Sequence, residues 1–201
     1  MSNLKEKLRQ KIAEWRPRTE RLMNEYGDVV IDKVTISQVL GGMRGIKSLV
    51  TDISYLDPNE GIRYRGYTLQ EVFDLLPKPK GSEMPFVEGL FYLLLIGEIP
   101  TEEEVLDLVD EFSKRRIIPR YIYEVIDAQP CCSDPMTVFS TAILSMHRES
   151  FFTKKYYVGI NKKEYWDPMF EDVLNLLAKL PEIASYTYAK IYRDGKRIQS
   201  N

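Results

Sequence analysis

The sequence is poor in the residues from which metal centres and nucleophilic sites are built. It has one histidine, His147, and two cysteines, Cys131 and Cys132, which are neighbours. Spaced Cys/His/Asp clusters are missing, so no structural zinc site is expected. Adjacent cysteines are poor disulfide partners, which fits a reducing compartment, and a cytoplasmic location is expected. The longest apolar run, residues 90–96, is far too short to span a bilayer, so no membrane is expected as a partner. The opening "MSNLKEKLRQ" is charged and has no apolar stretch behind it, so no signal peptide is expected. The net charge is -2, without the basic excess that phosphate backbones demand, so nucleic acid is not expected as a partner.

What is present is apolar surface for a real core: 44% of the 201 residues are hydrophobic. Helix signals dominate. Asn3–Tyr26 carries Leu4, Leu8, Ile12, Trp15 and Leu22 at roughly helical spacing, with Pro17 expected to kink or split it and Gly27 to end it. From Thr68 onward helix follows helix. "TLQE" at Thr68 and "TEEE" at Thr101 both read as capping boxes. Pro85 leads into the apolar "FVEGLFYLLLI", which Gly97 stops. Asp167 and Pro168 read as an N-cap and first helical position for "MFEDVLNLLAKL", and Pro181 is expected to break that helix before "EIASYTYAKIY". Strand signals are confined to residues 28–67, where "VVIDKVTI" and "SLVTDISYL" alternate and are rich in β-branched residues. The fold class is mainly α with a small N-terminal β element.

Few residues carry chemistry by themselves. His147 is read as an exposed polar residue rather than a general base, because no serine or carboxylate arrangement accompanies it. The cysteines are read as incidental. "GGMRGIK", residues 41–47, combines three glycines with Arg44 and Lys47; by local sequence it is a connection between strands, with phosphate binding as the alternative. "GINKKEYW", residues 159–166, places Lys162 and Lys163 before an aromatic pair that anchors the loop. In "YLDPNEGIRYRGY", residues 55–67, a turn precedes a short strand with Arg63 and Arg65 on it.

The ordered series "GGMRGIKSLVTDISYLDPNEGIRYRGYTLQE", "EGLFYLLLIGEIPTEEE", "DPMTVFSTAILSM", "YW" and "EDVLNLLAKLPEIASYTYAKIYRDG" resembles citrate synthase of the mitochondrial type. The resemblance implies a mainly helical homodimer with a large and a small domain. It also implies an acyltransferase of the tricarboxylic acid cycle that condenses acetyl-CoA with oxaloacetate, giving citrate and CoA. Residues 1–201 then correspond to the N-terminal portion of the large domain, without the rest of that domain or the small domain. The family's catalytic histidines and aspartate and its carboxylate-binding arginines match later segments, so no catalytic residue is assigned here and the chain alone is expected to be inactive. No tightly bound cofactor and no metal are implied; CoA and acetyl-CoA are substrates of the full enzyme. By resemblance, Arg44 contacts CoA phosphates. Lys162 stands where the family has an arginine that does the same, keeping the charge without the bidentate fork. Arg63 and Arg65 become structural or interface residues. Asp134 replaces a histidine common before Pro-Met in the family. A 2-methylcitrate synthase using propionyl-CoA, or a non-catalytic helical binding or assembly module, are the alternatives.

Overall fold

The computed structural model describes residues 3–47 and 49–193. Ser48 of the "SLVTDISYL" segment and the polar tail 194–201 lie outside them. The described residues are mainly helical, with one small antiparallel sheet. The chain divides into two compact units, with the division after Leu108.

In the first unit, α1 (Asn3–Tyr26) continues through Pro17 as one element. The expected split does not occur. Gly27 follows the last turn and donates to the Met23 carbonyl. Near its start α1 packs on α4 (Val87–Ile96): the Lys7 ammonium donates to the Tyr92 hydroxyl at 2.9 Å and pairs with the Glu104 carboxylate. Tyr92 also donates to Glu104 at 2.8 Å, and Tyr92 is almost fully buried. α4 ends where Gly97 takes a left-handed conformation (φ 87°) and its N–H donates to the Leu93 carbonyl. Val87, at its first position, is exposed, and Leu90, Phe91, Leu94 and Leu95 are half-buried, so this helix is less enveloped than its composition suggests.

The segment "VVIDKVTI" is not a strand. Residues 29–35 are irregular, and a short helix α2 (Ile36–Leu40) follows. Thr35 and Gln38 form a reciprocal cap: Gln38 N–H donates to Thr35 Oγ1, and Thr35 N–H to Gln38 Oε1. A strand needs a neighbour to take its N–H and C=O groups, and these residues have none, so the local cap decides. The sheet lies later. β1 (Ser54–Asp57), β2 (Gly61–Tyr64) and β3 (Tyr67–Thr68) form a meander in that order. Asp57 pairs with Gly61 across the first turn, where the Asp57 carboxylate accepts the N–H groups of Asn59 and Glu60. Across the second, Tyr64 pairs with Tyr67. Its two loop residues, Arg65 (φ 51°) and Gly66 (φ 88°), both have positive φ, as a tight I′ turn requires. β3 runs into α3 (Leu69–Leu75), whose Thr68/Glu71 capping box is as expected. Val72, Leu76 and Leu93 form a small core here, flanked by Tyr64, Tyr67, Leu90 and Ile99.

α5 (Glu102–Arg115) begins in the first unit and ends in the second. Its Thr101/Glu104 box is present: Glu104 N–H donates to Thr101 Oγ1 at 3.3 Å and Thr101 N–H to Glu104 Oε2 at 2.9 Å. The second unit is built on α9 (Trp166–Tyr192), a single 27-residue helix against which α6 (Arg120–Asp127), α7 (Pro135–Ser145) and α8 (Phe151–Tyr157) pack. Ile118, Ile122, Ile126, Val138, Ala142, Met146 and Ile183 make the core. Asp167 does not cap α9, which starts at Trp166, and Pro168 sits in its first turn. Pro181 does not end it. Leu174 and Ile183, on either side of that proline, are completely buried. Packing on both sides holds the helix across the one missing N–H.

Candidate functional site

Arg44 lies in the first unit, in the turn that leaves α2. It is not between two strands, as local sequence suggested, because a helix precedes it. The turn winds tightly around Gln38: Gly41 N–H donates to Ser37 O, Gly42 N–H to Val39 O, and Met43 N–H to Gln38 O at 2.8 Å. Positive φ at Gly42, Met43 and Gly45 makes this winding feasible, and Met43 bears the steric cost of a side chain there. The N–H groups of residues 41–43 are therefore spent inside the turn and do not form a phosphate nest. What the loop offers an anion is the exposed Arg44 side chain.

Lys162 lies in the second unit and opens a short 3-10 turn, Lys162–Glu164. Asn161 caps it, accepting Lys163 N–H at 2.9 Å, and Tyr165 N–H donates to Lys162 O. The expected aromatic anchor is present: the Tyr165 ring meets Phe152 edge-on at 5.1 Å and lies 6.2 Å from Tyr156. Lys162 thus stands exposed on a braced turn.

Arg63 and Arg65 are occupied by the fold. Arg65 donates through Nε and Nη2 to the Leu94 carbonyl at 3.0 and 2.6 Å, and pairs with Asp52 at 2.8 Å. It thereby ties the sheet to the end of α4, packing beside Gly97. Arg63 binds Glu60 and the Gly66 carbonyl. Both guanidinium groups hold structure, as expected.

His147 is exposed, and its Nε2 meets the Thr153 hydroxyl at 3.1 Å. It borders a cleft of about 430 Å³ in the second unit whose charged lining also includes Glu149, Lys154, Asp172 and Lys179. The cleft is not arranged for proton transfer. Asp172 accepts Ser150 Oγ, Phe151 N–H and Phe152 N–H, capping α8 from α9. Glu149 accepts from Tyr121. Burial lowers the Lys179 pKa, with Arg115 adding to the shift, and the ammonium donates to the Asn175 carbonyl. Among the described residues no group of three or more His, Cys, Asp or Glu side chains is placed to hold a metal. No helix of the described residues is long and apolar enough to cross a membrane.

The strongest electrostatic site is one that sequence reasoning found only in part. Burial raises the Glu104 carboxyl, but donors from Lys7, Thr101 and Tyr92 outweigh it and hold the pKa down to about 2. The capping-box pattern marked Glu104 as turned towards Thr101. Nothing local marked Lys7, 97 positions earlier, as its partner.

The family model described as "Citrate synthase, C-terminal domain" matches residues 42–201. The chain is 47% identical to mitochondrial citrate synthase of Aspergillus niger over 194 residues, 96% of this chain and 41% of that protein. It is 43% identical to the mitochondrial citrate synthase of Xiphias gladius, covering 98% of this chain and 42% of that one. For Daucus carota the identity is 41%, over 99% and 42%. The helical fold matches citrate synthase from Pyrobaculum aerophilum with a TM-score of 0.66 at 24% identity, over 86% of this chain and 42% of that chain. A ternary complex of Thermoplasma acidophilum citrate synthase with carboxymethyl coenzyme A and oxaloacetate matches at 0.60 and 21%, over 84% and 40%. A mainly helical scaffold with one short meander is thus the class of fold, and the chain belongs to the citrate synthase family. It spans about two fifths of the length of the relatives it matches. The cytoplasmic expectation is overturned: all three of these relatives are named mitochondrial. The adjacency of the two cysteines, on which that expectation rested, bears on redox state and not on address.

Proposed function

We propose that the chain is part of a mitochondrial citrate synthase that condenses acetyl-CoA with oxaloacetate to give citrate and CoA. The observation that carries this reading is the 47% identity maintained over 194 residues. The chain is proposed to be the N-terminal portion of the large domain, working as a homodimer. The single histidine is exposed, and the carboxylates that border its cleft, Glu149 and Asp172, accept hydrogen bonds from the fold. Residues 1–201 alone are therefore proposed to be inactive. CoA is a substrate, and Arg44 and Lys162 are proposed to contact its phosphates. Their support is their exposure on tightly wound turns that hold the backbone while leaving a long cation free.

The test is titration of CoA into the 201-residue chain at low and high salt, alongside a thiol-release assay with acetyl-CoA and oxaloacetate. CoA binding that weakens with salt, and falls by roughly 5- to 10-fold in Arg44→Ala and less in Lys162→Ala, supports the reading. Binding unchanged in both variants removes the phosphate role. Thiol release by the parent chain removes the claim that it is inactive. Release with propionyl-CoA in place of acetyl-CoA moves the reading to 2-methylcitrate synthase.

A further inference from the structure

Cys131 and Cys132 are the two cysteines of the chain, and both are free and exposed. They occupy the turn between α6 and α7, which the Ser133 N–H closes by donating to the Pro130 carbonyl at 3.0 Å. The next acidic group, Asp134, is committed elsewhere: its carboxylate accepts the N–H and hydroxyl of Thr137 and caps α7.

The described peptide bonds are all trans. The two Cα atoms are thus about 3.8 Å apart, below the roughly 4.4 Å lower limit of ordinary disulfides. A disulfide here would close an eight-membered ring around a trans amide, which is strained. An atom inserted between the two sulfurs enlarges the ring to nine members and relieves the strain. Tetrahedral zinc needs further ligands, and the described residues offer no group of three or more donors. The pair therefore suits a soft centre that is satisfied by two protein sulfurs and keeps its third substituent.

We propose that Cys131 and Cys132 form a chelating dithiol site for trivalent organoarsenicals. The reaction is an exchange without redox change. Each thiol sulfur forms a bond to arsenic, each arsenic–oxygen bond breaks, and each thiol proton leaves with the departing oxygen as water. Arsenic stays trivalent and retains its organic group. The protein gains a ring across residues 131 and 132, three positions before the helix whose Val138 and Ala142 lie in the core of the second unit.

The test uses the reduced chain with phenylarsine oxide, read by intact-mass spectrometry. The expected product has one arsenical per chain, is displaced by a 1,2-dithiol, and resists an equal concentration of a monothiol. In Cys131→Ser and in Cys132→Ser, the monothiol concentration needed for displacement falls by roughly 100-fold, the effective-concentration advantage of a second thiol on the same chain. Helical circular dichroism serves as the folding check, with Cys131→Ala and Cys132→Ala as second variants at the same positions. Single-cysteine variants that hold the arsenical as firmly as the parent overturn the proposal. An arsenical bridging two chains overturns it as well.

Discussion

Residues 29–50 and helix α9 make opposite uses of apolar sequence. The first stretch is rich in valine, isoleucine and leucine, yet Val30 is 78% exposed, Leu40 83% and Val50 95%. Its described residues form no strand and only one short helix. α9 has a proline near its middle and still runs for 27 residues, because Leu174 and Ile183 are buried against α6, α7 and α8. The difference teaches that propensity is a weak term and burial a strong one. A β-prone segment without a neighbouring strand has nothing to pair with, and a helix pressed into a core survives a residue that should break it.

Three substitutions sharpen this contrast, from the largest effect to the smallest. Leu174→Ala, at a fully buried position of α9, is expected to destabilise by about 2–5 kcal/mol in urea unfolding. A loss below about 1 kcal/mol would show that α9 does not carry the second unit.

Glu104→Gln is expected to cost on the order of 2 kcal/mol at pH 7, since it removes the anion that Lys7, Tyr92 and Thr101 jointly hold. The folded pKa of about 2 lies below the ordinary value of 4.5. The contribution is therefore present above about pH 4.5 and fades as pH falls towards 2. In acid titrations followed by circular dichroism, the glutamine variant should lose less stability than the parent between these limits. Equal slopes would remove the Lys7–Glu104 pair as a determinant of stability.

Val50→Ser should change stability by no more than about 0.5 kcal/mol, because the side chain is already in water. A cost comparable to that of Leu174→Ala would mean that this apolar stretch is covered in solution.

Features that depend on neighbours in sequence were legible. The Thr68/Glu71 and Thr101/Glu104 boxes, the left-handed stop at Gly97 and the turn at Asp57 are all closed by residues within four positions of one another. The cap at Thr35 has the same local character, but the β-branched residues around it masked it. Arg65 was read correctly as structural from resemblance, though its partner, Leu94 O, is 29 positions away. Arg44 and Lys162 stand exposed on turns, and their proposed contact with CoA comes from the resemblance and not from their local sequence. The use of the "GGMRG" backbone N–H groups within its own turn was not, because that depends on α2 standing in front of it.

The sequence by itself determined the family, the helical class, the capping boxes at Thr68 and Thr101 and the scarcity of metal-binding or proton-transfer side chains. The family follows from the resemblance of an ordered series of motifs along the chain, and the other three from residue identity and short spacing. Tertiary structure decided that residues 29–35 stay out of the sheet, that Pro181 lies inside a helix, and that Lys7, Tyr92 and Glu104 share one charge network. The reason is common to all three. The helix across Pro181 and the Lys7 network depend on partners far along the chain, and residues 29–35 stay out of the sheet because no such partner stands beside them.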